Sequence, residues 1–229
     1  MKKSIRNIIA IFIIVVPFYL FAIYEKWMGD IEFLIQILFV NNLFFLIIGL
    51  LIIFLINKYL LKNSLKVFIS DKGSLLIDVS LAFLILIIIF FIYGIGKVTY
   101  GILFPFQRDL TDIFNTLRQI FSNPFYTLVM IGPFIWISEG FLAISRAFIL
   151  NNLWELNEKK YFVWISIFST ALLFSFTQID NGIPAMINWF LIFSLTNYIY
   201  YKYRRVLPLM LAGIMLQSIE IITAWIYVL

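Results

Sequence analysis

Residues 75–96 read LLIDVSLAFLILIIIFFIYGIG. A run this long and this apolar matches a helix crossing the hydrocarbon core of a bilayer, which takes about 20 residues. Comparable runs cover approximately residues 6–24, 35–57, 125–149, 162–179, 184–201 and 206–227. The sequence therefore predicts an all-α integral membrane bundle of about seven transmembrane helices. Backbone immersed in lipid must satisfy its own polar groups, so only helices and closed barrels span. These runs are too long for barrel strands and lack their alternation.

Composition agrees. Of 229 residues, 63% are hydrophobic and 13% charged, against about 45–50% and about 25% in a soluble domain. The mean hydropathy is +1.03. The 17 basic and 12 acidic residues are too few to clothe a soluble fold of this size. The net charge of +5 resides in short loops between apolar runs, which points to topology and anionic lipid rather than nucleic acid. There is no cysteine, so disulfides, thiolate nucleophiles and iron–sulfur clusters are excluded. There is also no histidine.

The N-terminus, Met1-Lys2-Lys3-Ser4-Ile5-Arg6 followed by an apolar run to Tyr24, has the basic and apolar parts of a signal peptide. The run is long and lacks a small-x-small cleavage site, so it reads as a retained first span. Abundant Ile, Phe, Lys and Asn suggest an AT-rich genome and a bacterial cell membrane. No repeat or linker divides the chain. It reads as one membrane domain: three helices over 1–98, a connection over 99–124, and further helices over 125–229. In the connection, Phe104, Phe106, Leu110, Ile113, Phe114, Leu117, Ile120 and Phe121 recur at helical spacing. That pattern fits an amphipathic helix in the outer interface or a packed helix capping the bundle.

Orientation follows from the lysine and arginine bias. With the N-terminus cytoplasmic, the inner segments hold Lys2, Lys3, Arg6, Lys58, Lys62, Lys66, Lys72, Arg146, Lys159, Lys160, Lys202, Arg204 and Arg205. The outer segments hold Lys26, Lys97, Arg108 and Arg118. An odd number of spans then gives an N-in, C-out protein.

Ionisable residues within apolar spans are candidate functional groups by default. Glu139 and Arg146 fall in the fourth span, Asp180 at the outer end of the fifth, and Glu220 deep in the seventh. Glu139 and Arg146 are seven residues apart, on one helix face but beyond i,i+4 reach. Each therefore needs a partner from another helix or a route to water, and Arg146 can also snorkel to the headgroups. Asp180-Asn181-Gly182, then Ile183-Pro184, is turn chemistry. Ser175, Thr177, Gln178, Asn188, Ser194, Thr196, Asn197, Gln217 and Ser218 supply neutral polar groups, and Ala212 and Gly213 permit close helix approach. No phosphate-cradling glycine loop or Gly-x-Ser-x-Gly elbow occurs. Without histidine or cysteine, acid–base work would fall to Glu, Asp, Lys or Tyr, and catalytic zinc lacks its usual ligands.

The last part of the chain resembles the CAAX-protease and bacteriocin-processing (Abi) family of intramembrane proteases. That family carries Glu-Glu-x-x-x-Arg, Phe-x-x-x-His and His-x-x-x-Asn/Asp motifs on successive helices. Residues Ser169 to Gln178 look like the second motif, with Gln178 where the family has histidine. The stretch from Tyr200 through Lys202, Arg204, Arg205 and Pro208 looks like the lead-in to the third. Gly213 then stands at the histidine and Gln217 at the Asn/Asp position. For the first motif, aligning Arg146 puts Phe141 and Leu142 at the glutamates. Aligning Glu139 strands Arg146.

The resemblance implies an Abi-like core in the last four helices, emptied of its water-activating histidines. Glutamine takes no proton at neutral pH, and glycine offers no side chain. A Glu139/Glu220 carboxylate pair is the remaining acid–base candidate. The expectation is a non-catalytic membrane protein that needs no cofactor and binds a peptide or partner protein in the bilayer, of the bacteriocin self-immunity type. Alternatives are a scaffold subunit of an envelope enzyme or exporter, or a transporter or channel subunit. The candidate binding residues are Glu139, Arg146, Gln178, Gln217 and Glu220.

Overall fold

The computed structural model describes residues 3–28, 34–63, 74–99, 122, 130–157 and 159–228. Among them there are seven α-helices and no strand: α1 Lys3–Met28, α2 Leu34–Leu55, α3 Leu75–Val98, α4 Ile135–Trp154, α5 Lys160–Ser175, α6 Ile183–Tyr203 and α7 Leu207–Val228. Within this set, four stretches are long and apolar enough to cross a membrane: Leu43–Leu60, Leu75–Gly96, Gly132–Trp154 and Lys160–Ile179. The expected helix at 99–124 lies almost wholly outside the described residues.

The helix ends have local causes. Ser74 caps α3, its hydroxyl accepting from the Ile77 amide at 3.4 Å, which satisfies an otherwise orphaned donor. Gly182, at φ 93°, makes the turn that Pro184 then converts into the first turn of α6. Arg204 ends α6 in the left-handed conformation, at φ 54°. This backbone state is unusual for a residue other than glycine. Its side chain is held from two sides: the guanidinium stacks 4.2 Å from the Trp154 ring and donates to the Asn151 amide oxygen at 3.1 Å.

The first residues of the expected span 125–149 lie outside the described residues, and its helix, α4, ends later than expected, at Trp154. A kink at Gly132, followed by Pro133, sets its start. Its end runs on through Asn151 and Asn152, which look like a helix stop in sequence. Asn152 instead donates back to the Phe148 carbonyl at 2.8 Å, while Asn7 of α1 donates to the Asn152 carbonyl at 3.3 Å.

Helix α4 is the hub. It packs against α1, α2, α5, α6 and α7, while α3 closes against α6 and α7. On the α2 side, a Cβ on Gly49 would stand only 2.5 Å from the Phe141 ring, so α2 lies against α4 at glycine distance. Ala143, Ala147, Phe148 and Leu150 are buried in the shared core. The outer surface is apolar: Phe91 is 68%, Phe12 67% and Phe44 65% exposed. Water would not favour so extensive an apolar exterior; hydrocarbon tolerates it.

Successive helices alternate in direction, and one end of the bundle collects most of the polar contacts. There Lys3 pairs with Glu155 at 3.3 Å, Asn7 donates to the same carboxylate at 2.9 Å, and Arg6 reaches the Leu60 carbonyl at 3.5 Å. At the same end Arg205, ahead of α7, binds Asp78 of α3 through two bonds. Nε donates to Oδ1 at 2.6 Å and Nη2 to Oδ2. The Asp78 side chain is completely buried. Removing one member of a buried ion pair leaves an uncompensated charge, at a cost of about 3–5 kcal/mol. Asp78→Ala is therefore expected to lower the melting temperature of the detergent-solubilised protein sharply. The double change Asp78→Leu with Arg205→Met is expected to recover much of the loss, as followed by tryptophan fluorescence on heating.

Candidate functional site

Glu139 lies one turn into α4, and Gly140 and Phe141 beside it are buried as it is. It has no companion charge within i,i+4 reach on its own helix, so its partner comes from α7. The Gln217 side-chain amide donates to Glu139 Oε1. One turn before Gln217, Gly213 faces the same carboxylate. A Cβ built on Gly213 would fall on Glu139 Oε2 and its carboxyl carbon. The absence of a side chain at 213 is what lets the carboxylate occupy this space. Glu220, three residues beyond Gln217, shares that face of α7 and is exposed.

Two turns along α4, roughly 10 Å further, Arg146 is buried to 3% exposure. It does not reach out toward the helix ends. Its Nη1 donates to Thr196 Oγ1 of α6 at 2.6 Å and its Nε to the Leu142 carbonyl at 3.3 Å. Its guanidinium lies 4.5 Å from the Phe193 ring centroid. Thr196 passes the polarity on by donating to the Ile192 carbonyl at 3.0 Å. The hydrogen-bond and ring partners of this arginine are thus neutral dipoles and a π face, and the Glu139 carboxylate on the same helix adds a longer-range coulombic attraction.

Of the five residues singled out in the sequence, Glu139 and Gln217 meet directly and Glu220 flanks them on α7. Arg146 belongs to the same α4 face but is bonded to α6. Gln178 sits half-buried on the 3-10 turn Phe176–Asn181 after α5. That turn packs on α6.

Sequence reasoning missed Asp78. It follows a stretch of sequence with lysines at 58, 62, 66 and 72 and is a lone acid in the first turn of an apolar helix; that isolation is the signal that marks it. It also missed Asn7, Asn151 and Tyr200, whose pairings are visible only across helices: Asn151 donates to the Tyr200 hydroxyl at 2.7 Å. Asn197, read as a polar group joining helices, does so by donating to the Ile167 carbonyl of α5 at 3.1 Å.

Chemically, the Glu139 site offers a carboxylate, a primary amide and bare backbone. It can accept and donate hydrogen bonds to a peptide or a polar side chain. Neither the amide nor glycine can take a proton from water. No group of three or more Asp or Glu side chains suited to a metal ion occurs among the described residues. Comparison with protein-family profiles, characterised proteins and solved structures finds no match.

The close fit of Gly213 against Glu139 has a measurable consequence. Gly213→Ala overpacks the contact and is expected to cost about 1–3 kcal/mol. In a Glu139→Ala background the same change is expected to cost little, because the conflicting atoms are gone. Thermal melts of the four proteins in detergent would show this as non-additivity.

Proposed function

We propose that this chain is a seven-span protein of a bacterial cell membrane, oriented N-in and C-out, that binds a peptide or partner protein within the bilayer without catalysis. Bacteriocin self-immunity is the specific role we assign to it. The observation that carries this reading is the meeting of Glu139 with Gln217 and Gly213 on adjacent helices. The Abi resemblance assigns the third motif to Gly213 and Gln217. An Abi-like core would bring that motif against a glutamate of the first, and here it abuts Glu139. With glycine and glutamine in place of the motif residues, the site retains hydrogen-bonding capacity and lacks the histidines to which the resemblance assigns water activation.

The orientation is supported by the end of the bundle that gathers Lys3, Arg6, Arg204 and Arg205 through shared contacts. A single cytoplasmic face for these residues accords with the positive-inside rule. The exposed Glu220 favours docking of a partner. A carboxylate at the accessible edge of the Glu139 site is costly against lipid, and a polar partner segment beside α7 would relieve that cost. The same observation serves the second reading, in which α7 docks a subunit of an envelope enzyme or exporter.

Immunity is tested by exposing producer-strain cells, with and without this gene, to the bacteriocin made by the same strain. The gene is expected to raise survival at a dose of bacteriocin that kills cells lacking it. The Glu139→Ala, Gln217→Ala double variant, checked for normal membrane abundance, is expected to lose that protection. Equal killing with and without the gene overturns immunity. Co-purification of an exporter or hydrolase subunit, lost on Glu220→Lys, would then support the scaffold reading.

A further inference from the structure

Away from the Glu139 site, a groove of about 370 Å³ runs between α1 and α5 with α4 as its floor. Ile8 and Val15 form one wall, Leu173 the other, and Leu153 and Leu156 the base. Its volume falls in the range of small-molecule sites, and its lining is almost wholly hydrocarbon. It is closed where the Tyr19 hydroxyl of α1 donates to the Leu173 carbonyl of α5. At the other end, Leu156 is followed three and four residues on by Lys159 and Lys160, both exposed at the start of α5. Along α5 the distance from Lys160 to Leu173 is roughly 20 Å. The groove itself runs roughly 10 Å along α1, from Ile8 to Val15, within the about 15 Å depth of one hydrocarbon leaflet, and the two lysines lie beyond its Leu156 end.

We propose that this groove is a binding site for a single anionic phospholipid, with one acyl chain between α1 and α5 and the headgroup phosphate at Lys159 and Lys160. The inference goes beyond the peptide-binding reading and is independent of it, resting only on the chain's being embedded in lipid. An apolar groove lying within one leaflet fits a segment of a hydrocarbon chain, whose lack of hydrogen-bonding groups makes no demand on the leucine and isoleucine walls. The two exposed lysines supply charge complementarity where the headgroup would lie, each worth about fivefold in affinity for an anionic surface. Among the described residues, Lys3 on α1 is already paired with Glu155 and Arg6 with the Leu60 carbonyl, whereas the α5 lysines are exposed.

The test uses the full chain purified in mild detergent and mixed with equal amounts of phosphatidylglycerol and phosphatidylcholine. Native mass spectrometry then counts the retained lipids. The wild type is expected to hold one phosphatidylglycerol in preference to phosphatidylcholine. Lys159→Gln with Lys160→Gln, both surface changes, is expected to cut that preference by up to about twentyfold. Ser169→Trp, which fills the groove from an exposed position on its lining, is expected to abolish the retained lipid. Equal retention of the two lipids by the wild type, or undiminished phosphatidylglycerol on the tryptophan variant, overturns the proposal. So does a copurified peptide in place of lipid, displaced by Ser169→Trp. Retention of the chain in alkali-washed membranes tests membrane embedding separately, so a failure there is distinguishable from a failure of the lipid site.

Discussion

Helix α4 carries polar side chains down its whole length, and an apolar environment offers them no water. That constraint organises the bundle. Glu139 is bonded from α7, Arg146 from α6, and Asn151 pairs with Tyr200 and Arg204 at the end of α6. The Asn152 carbonyl and Glu155 are bonded by Asn7 of α1. A buried polar group left unpaired costs about 1–3 kcal/mol, so each of these contacts selects one neighbour and one register. Apolar packing alone would be far less selective, because lipid tails solvate leucine as well as another helix does. The arrangement around α4 is thus specified by polarity and filled by hydrophobic side chains.

Close approach supplies the other half of that specification. Gly49 on α2 stands against Phe141, and Gly213 on α7 stands against Glu139. Positions 139 and 141 are two residues apart, which places them on nearly opposite sides of α4. The hub is therefore gripped between two glycine-bearing helices at one level. Below that level the contacts become longer polar links to α6 and α1.

The positions of the helices were legible in the sequence because they depend on run length, a property each segment carries by itself. The seven apolar runs correspond to the seven helices among the described residues, with a Gly132-Pro133 kink ahead of α4 and asparagines that stay helical carrying its end on to Trp154. The residues of the Glu139 site were legible one at a time, since charge and amide groups in apolar runs are conspicuous. Their pairing was not. Nothing in the spacing of Glu139 and Gln217 along the chain says that α4 lies beside α7. Asp78 was missed for a related reason. Its burial is decided by Arg205, and without that partner it reads as an ordinary acidic residue in the first turn of a helix, where carboxylates are favoured anyway.

The Asp78–Arg205 pair also has a history during synthesis. The two residues are 127 positions apart. At translation rates of about 5–20 residues per second, Asp78 emerges roughly 6–25 s before its arginine. Throughout that interval α3 carries a carboxylate that the finished protein keeps wholly from solvent. The first turn of α3 therefore has reason to stay at the water-facing edge until Arg205 arrives, so a residue made much later is the one that lets an early helix settle. Truncation ahead of Arg205 would remove more than α7, since it would leave α3 without the partner of its buried carboxylate.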